Sequence, residues 1–308
     1  AKSRLIRALT RLLDDVVPVI RGSEVNDHPL APISRYGKDM LENNGDATEI
    51  DWITSEKRYA EKLATPDISI ADLVGDIDPI RVAEGRYLSD ELTIHYGLIP
   101  RTNRGIFSIN ELPDLAERIQ VSLFNLMEEK DIQIKGYRIR LPLDVYLVAT
   151  ANPEDYTNRG RIITPLKDRY GAQIRTHYPK FPEDEIRIMD QEMTAFPDME
   201  DKVVVPQYMK EIIAEITSLA RRSGDINQRS GVSVRVSIAN YETIISNALR
   251  RSIMRGEKGV CPRISDLPFI VASFTGKVEL ETFEEGREGK VMEELSKKAV
   301  LSTFGRFV

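Results

Sequence analysis

Lys2 and Ser3, in "AKSRLIRALT", have the side-chain types that close a phosphate-binding loop, G-x-x-x-x-G-K-[ST], directly ahead of a helix. In that arrangement Lys2 would reach the β and γ phosphates of a nucleotide, Ser3 would bind Mg²⁺, and the helix start would add its free N–H groups. Taken alone, the pair reads more simply as a solvated Lys-Ser. Three more stretches supply polar groups in an order the same chemistry can use. "IFSINE" is an apolar run that delivers Asn110 and Glu111 at its end, where ligands sit in open α/β sheets. Asn110 would be the metal-side group and Glu111 the base that orients water; the alternative is an ordinary strand end with two solvated side chains. "LVATANP" ends a strand in Asn152, whose amide could hold the attacking water or the γ-phosphate, or could simply occupy a turn before proline. "LKDRYG" offers Arg169, able to neutralise charge on a transferring phosphoryl group or to pair with Asp168 or another carboxylate on the surface.

These residues need elements to position them. Leu5, Ile6, Leu9, Leu12, Leu13, Val16 and Val17 share one stripe, which predicts a helix over 2–17 leading into a short strand at "VPVI". Residues 22–66 turn polar and read as an insertion with at most one helix, near 54–64. "GIFSI" at 105–109 is of strand length, and Leu115, Ile119, Leu123 and Leu126 mark the helix that follows. "DIQIKGYRIRL" predicts a hairpin turning at Lys135-Gly136, and "VYLVATA" a buried strand. Strands alternating with helices to about residue 180 imply a mostly parallel sheet. Beyond a boundary near Pro182 the pattern is helical at 183–193, 206–222 and 234–255, and "ETFEEGREGK" reads as a solvated turn.

Composition narrows the function classes. The 308 residues are 41% apolar and 30% charged, as in an ordinary globular protein. No stretch has the length of apolar residues a membrane helix needs, and the first residues lack the apolar core of a secretory signal, so a cytoplasmic location is expected. A single cysteine, Cys261, excludes an internal disulfide framework, and three scattered histidines give no zinc spacing, so any metal is expected on oxygen ligands. A net charge of −6 disfavours a general nucleic-acid binder and favours a protein partner.

Together the stretches resemble the AAA+ ATPases, in the clade of the magnesium chelatase ATPase subunit and the MoxR proteins. "GRYLSDELTIHYGLIPRTNRGIFSINEL" has the layout of that clade's insertion, near 85–104, ahead of the Walker B strand, and the hairpin at 131–141 corresponds to its insertion before the sensor-1 strand. "GVSVRVSIANYE" is similar to the start of the sensor-2 helix. The resemblance implies a P-loop α/β core over 1–181 with a parallel sheet, and a smaller all-helical lid with a C-terminal extension over 182–308. It makes Ala1, Lys2 and Ser3 the end of Walker A, with Ala1 where the second glycine is usual, so that the chain starts inside the loop. It makes Asn110 and Glu111 the end of Walker B, Asn152 sensor 1, Arg169 the arginine finger and Arg235 sensor 2, with Arg161 a second candidate for a subunit-bridging arginine. ATP and Mg²⁺ are the implied ligands. A hexameric ring, and a client that is a von Willebrand factor A domain protein or a metal-insertion or maturation complex, are the implied partners. Two other functions stay open: a nucleotide-regulated scaffold with little hydrolysis, suggested by Asn110 in place of aspartate, and a sigma-factor-directed activator, suggested by "SFTG" at 273–276. The last is similar to the GAFTGA loop of enhancer-binding ATPases but lies beyond the sensor-2 segment instead of between Walker A and Walker B.

Overall fold

The computed structural model describes residues 2–83, 90–129, 131–134, 137–152, 160–194, 202–228, 230–281 and 286–307. The chain forms two compact units, residues 1–175 and 176–308. In the first, the order is α1 (Lys2–Ala8), β1 (Val16–Ile20), α2 (Arg35–Asn44), β2 (Ile50–Thr54), β3 (Tyr59–Leu63), α3 (Ile70–Leu73), β4 (Gly75–Ile77), α4 (Pro79–Ala83), β5 (Ile94–Tyr96), α5 (Leu98–Arg101), β6 (Gly105–Asn110), α6 (Glu117–Glu129), β7 (Asp131–Ile134), β8 (Tyr137–Arg140), β9 (Val145–Ala149) and α7 (Thr164–Arg169). Three strands in the order β3-β6-β9 make a parallel sheet, with Leu63 opposite Asn110 and Ile109 opposite Ala149. The pairs β1-β2, β4-β5 and β7-β8 are antiparallel.

The central strand β6 is buried from Gly105 to Ile109, so its apolar residues face core on both sides, as a covered parallel strand requires. Ile119 and Leu123 bring α6, and Leu115 just ahead of it, onto the same core as Phe107 and Ile109. The start of β6 is fixed by "RTNRG". Asn103 donates to the Val25 carbonyl at 2.9 Å and accepts from the Asp144 N–H at 2.8 Å. Arg104, at a left-handed φ of 61°, donates to the Pro18 carbonyl at 2.7 Å, and Arg58 donates to the Arg104 carbonyl at 2.7 Å. A Cβ on Gly105 would lie 2.0 Å from the Arg58 carbonyl oxygen, so only glycine fits there. Strands β1, β6 and β9 are thereby set at fixed levels, which decides where their ends fall.

Several expectations need correction. The first helix stops at Ala8 and continues as a 3₁₀ turn over Leu9–Leu12, leaving Leu5 63% and Leu12 81% exposed. An apolar stripe alone does not bury itself when the chain is drawn off into the β1-β2 ladder. Residues 54–64 hold no α-helix: the segment enters the parallel sheet as β3, and the helix of the polar region is α2, capped by Ser34 Oγ accepting from Gly37 N. Among the described residues β9 is an edge rather than a buried strand, with Tyr146 66% exposed. The hairpin strands β7 and β8 pair as expected, and the turn at Lys135-Gly136 lies outside the described residues.

The second unit contains α8 (Pro182–Glu192), α9 (Gln207–Ala220), α10 (Val234–Arg255), α11 (Val271–Thr275) and α12 (Arg287–Phe307). Met189, Met209, Ile213, Ile244, Ile270, Phe274 and Met292 lie in its core. Buried Glu185 takes a two-pronged contact from Arg221 at 2.6 and 2.8 Å and a hydrogen bond from Ser237. α12 was not expected, because "GREGK" reads as loop until the apolar residues Val291, Met292 and Leu295 place its far face on the core. Among the described residues no helix is long and apolar enough to cross a membrane.

Candidate functional site

The carboxyl ends of β6 and β9 gather polar groups from distant parts of the sequence. Asn110 closes β6, and its carbonyl accepts from Ala64 N at 2.7 Å. Its side-chain Oδ1 is buried without a hydrogen-bond partner among the described residues. An acceptor in that condition costs about 1–3 kcal/mol unless something supplies a donor.

Glu111 follows at φ 56°, ψ 50°, a left-handed conformation that a non-glycine residue adopts at a cost of about 1 kcal/mol or more. Thr150, just past β9, holds it there. Its Oγ1 accepts from Glu111 N at 3.0 Å, its carbonyl accepts from Leu112 N at 2.9 Å, and its own N–H donates to Ile109 O at 2.9 Å. The turn swings Glu111 off the strand axis, and the burial of Leu112 and Pro113 directly after it keeps it turned.

Lys2 reaches the neighbouring strand end. Its ammonium donates to Ala151 O at 2.8 Å and to Asn152 Oδ1 at 3.0 Å. The expected Walker A lysine and sensor-1 asparagine therefore meet directly, and the Thr150-Ala151-Asn152 run holds Lys2 and the Glu111 backbone within three consecutive residues. Ser3 is half-buried beside Lys2 in the chain. Ala1 lies outside the described residues.

The arginines are dispersed. Arg161 is exposed, but its backbone is held by buried Gln120, which donates to Leu115 O and Arg161 O and accepts from Ile163 N at 2.9 Å. Gly160 comes so close to the Pro113 carbonyl that a Cβ would lie 2.4 Å away, so the Arg161 segment adjoins the turn that carries Glu111. Arg169 pairs with Glu128, lies 3.4 Å from Asp168 and stacks 5.2 Å from the centre of the Phe124 ring. Glu128 is at the far end of α6 from Glu117, about 16 Å along the helix at 1.5 Å per residue. Arg169 is therefore not gathered with Lys2 and Asn152. Arg235 belongs to the second unit, exposed in the first turn of α10, with its N–H donating to Ser233 Oγ at 3.2 Å. "SFTG" is no exposed loop: Phe274 is buried in the core and Ser273 donates to Asn240 at 2.7 Å.

Thr150 and Gln120 were not singled out from sequence. A signal existed for Gln120, a lone amide on the apolar face defined by Leu115, Ile119 and Leu123. Thr150 carried none beyond its place between a strand and Asn152.

The residues present fit a magnesium nucleotide. Mg²⁺ keeps most of its waters and takes few protein ligands beside substrate phosphates, so no carboxylate cage is required. The unpartnered Oδ1 of Asn110 can accept from metal-bound water, Ser3 offers a hydroxyl, and Lys2 and Asn152 offer donors for phosphate oxygens.

No protein-family model matches the chain, and no curated protein matches it. Among solved structures it is similar to the complex of the BchI and BchD subunits of magnesium chelatase, with 18% identity, a TM-score of 0.43, and 96% of this chain and 88% of that one covered. It is also similar to a candidate ATPase of Cytophaga hutchinsonii, at 17% identity and a TM-score of 0.33 over 78% and 76% of the two chains. NtrX of Brucella abortus is matched at 13% identity and a TM-score of 0.47 over 99% and 67%.

Proposed function

We propose that the chain is the core and helical lid of a Mg-ATP-dependent AAA+ ATPase of the magnesium-chelatase and MoxR type, a ring-forming motor that remodels a protein partner or assists metal insertion. The observation that carries this reading is the meeting of Lys2 with Asn152 beside the strand end that presents Asn110 and Glu111. Mg²⁺, held by Ser3 and Asn110, would neutralise charge on the phosphates. Lys2 and Asn152 bind phosphate oxygens, and Glu111, set in a left-handed turn, supplies a carboxylate able to take a proton from water. Arg169, a helix length from this end of its own chain, fits service to a neighbouring subunit.

Phosphate release with Mg-ATP tests the proposal, with Glu111→Gln as the control that should bind ATP and lose turnover. Release that is unchanged in Glu111→Gln, or absent while ATP still binds, would remove it. The scaffold reading is favoured by Asn110, which has one negative charge fewer than aspartate. It is distinguished by tight ATP binding without release.

A further inference from the structure

Helix α1 buries one residue, Ile6, and so has little apolar hold on the sheet. Two of its side chains reach the sheet instead. Lys2 ends at Ala151 and Asn152, and Arg7 makes a two-pronged contact to Glu61 of β3, Nε to Oε2 at 3.0 Å and Nη2 to Oε1. Tyr59, two residues earlier on the same face of β3, donates its hydroxyl to Glu61 Oε2 at 2.7 Å. The bonds from Arg7 and Tyr59 hold the Glu61 carboxyl below its ordinary range, so it is an anion at neutral pH.

The side chains of Arg7 and Glu61 are 61% and 29% exposed, and pairs of that kind contribute about 1 kcal/mol or less to stability. Geometry is what the contact supplies. A planar guanidinium on a carboxylate fixes direction as well as distance. Lys2 and Arg7 are five residues apart, about 140° around the helix, so contacts from both sides set its roll. Glu61 is a sound anchor because β3 is laddered to β6, with Glu61 opposite Ser108 and Leu63 opposite Asn110.

We infer that Arg7, Glu61 and Tyr59 form a positioning device that sets the roll of α1 and thereby holds the Lys2 ammonium at the ends of β6 and β9. The inference rests on the phosphate-binding reading of Lys2, and its test separates the two. The first measurement needs no nucleotide: the rate at which the Lys2 amine is acetylated by an N-hydroxysuccinimide ester, followed by peptide mass spectrometry on the full chain. Arg7→Glu and Glu61→Arg should each raise that rate about fivefold or more, the exchanged pair Arg7→Glu/Glu61→Arg should return it to within about twofold, and Arg7→Lys should restore it only in part, since a point charge lacks the fork. The urea midpoint should stay near the parent's. Unchanged labelling in the folded single variants, or no return in the exchanged pair, overturns the inference. The second measurement is the affinity for a non-hydrolysable ATP analogue, with Lys2→Ala beside the same set. Parallel losses in Lys2→Ala and the single variants, restored in the exchanged pair, support both ideas. Parent-like affinity in Lys2→Ala removes the phosphate reading while the labelling result still decides the positioning.

Discussion

Lys2 and Asn152, 150 positions apart, are joined by a 3.0 Å hydrogen bond from the lysine ammonium to the asparagine Oδ1. A phosphate that takes Lys2 must compete with this contact. Asn152→Asp turns the contact into an ion pair and places a negative charge where phosphate oxygens would lie. ATP binding should weaken about tenfold or more, the equivalent of about 1.4 kcal/mol. Asn152→Ala leaves the Ala151 carbonyl to Lys2 and should weaken binding by less than about threefold. Titration with a fluorescent nucleotide ranks the two, and the reverse ranking would take Asn152 out of the phosphate site.

Substitutions at Glu111 test stability and the proposed catalysis separately. Its left-handed φ of 56° suits glycine, so Glu111→Gly should leave the urea midpoint unchanged or raise stability by up to about 1 kcal/mol. Glu111→Gln keeps size and hydrogen bonding without basicity. Both should lose hydrolysis by about 10²-fold or more while still binding ATP. A Glu111→Gly protein that is destabilised, or either variant turning over normally, would leave the turn as structure only.

The strand β6, its apolar face and the polar pair at its end were legible in "GIFSINE" because a short buried run has few alternatives. The order of Lys2, Asn110, Glu111 and Asn152 likewise pointed to one end of a sheet, and the structure brings Lys2 to Asn152. β3 was not legible. "YAEKL" places Tyr59 and Glu61 in a hydrogen-bonded cluster on one face, and its strand state comes from pairing with β6, which lies about 45 residues on. The shortness of α1 was hidden for a similar reason: its apolar stripe continues past Ala8 in sequence, but the competing β1-β2 ladder is a tertiary event. Thr150 acts through one hydroxyl on one backbone N–H, a contact with no periodicity to betray it.

Thr150→Val tests that contact. The swap keeps the shape of a β-branched residue but removes the acceptor for Glu111 N, at a cost of about 1–3 kcal/mol for an N–H left without a partner. Turnover should fall along with stability, and Thr150→Ser should recover both. If Thr150→Val keeps full turnover, the Glu111 turn is held by its buried neighbours alone.

Asn110→Asp addresses the unpartnered Oδ1. Without metal, a carboxylate at this buried position is poorly solvated, and stability should drop by about 1–3 kcal/mol. With Mg²⁺ and nucleotide the same charge becomes useful. Added Mg-nucleotide should raise the melting temperature of Asn110→Asp by more than that of the parent, and the Mg²⁺ concentration needed for turnover should fall. Equal or smaller stabilisation in the variant would place Asn110 outside the metal's surroundings.

Under the proposed ATPase function, Arg169 would distinguish a ring motor from a self-contained enzyme. In the single chain it rests on Glu128 and Phe124 near the end of α6 remote from Glu111, and as an exposed pair this contact should contribute less than about 1 kcal/mol. Arg169→Ala should therefore fold and bind ATP normally. If the guanidinium serves a neighbour's phosphoryl group, hydrolysis should fall about 10³-fold. Mixing provides the sharper test. A subunit carrying Arg169→Ala keeps an intact Glu111, and one carrying Glu111→Gln keeps an intact Arg169, so each mixed interface of the right polarity contains one complete site. Activity should return as the two inactive proteins are combined and should peak near equal amounts. Proteins that assemble and exchange subunits, yet stay inactive at every ratio, would exclude Arg169 as the bridging residue. Arg161, whose backbone is pinned by Gln120 beside the Glu111 turn, then becomes the residue to substitute.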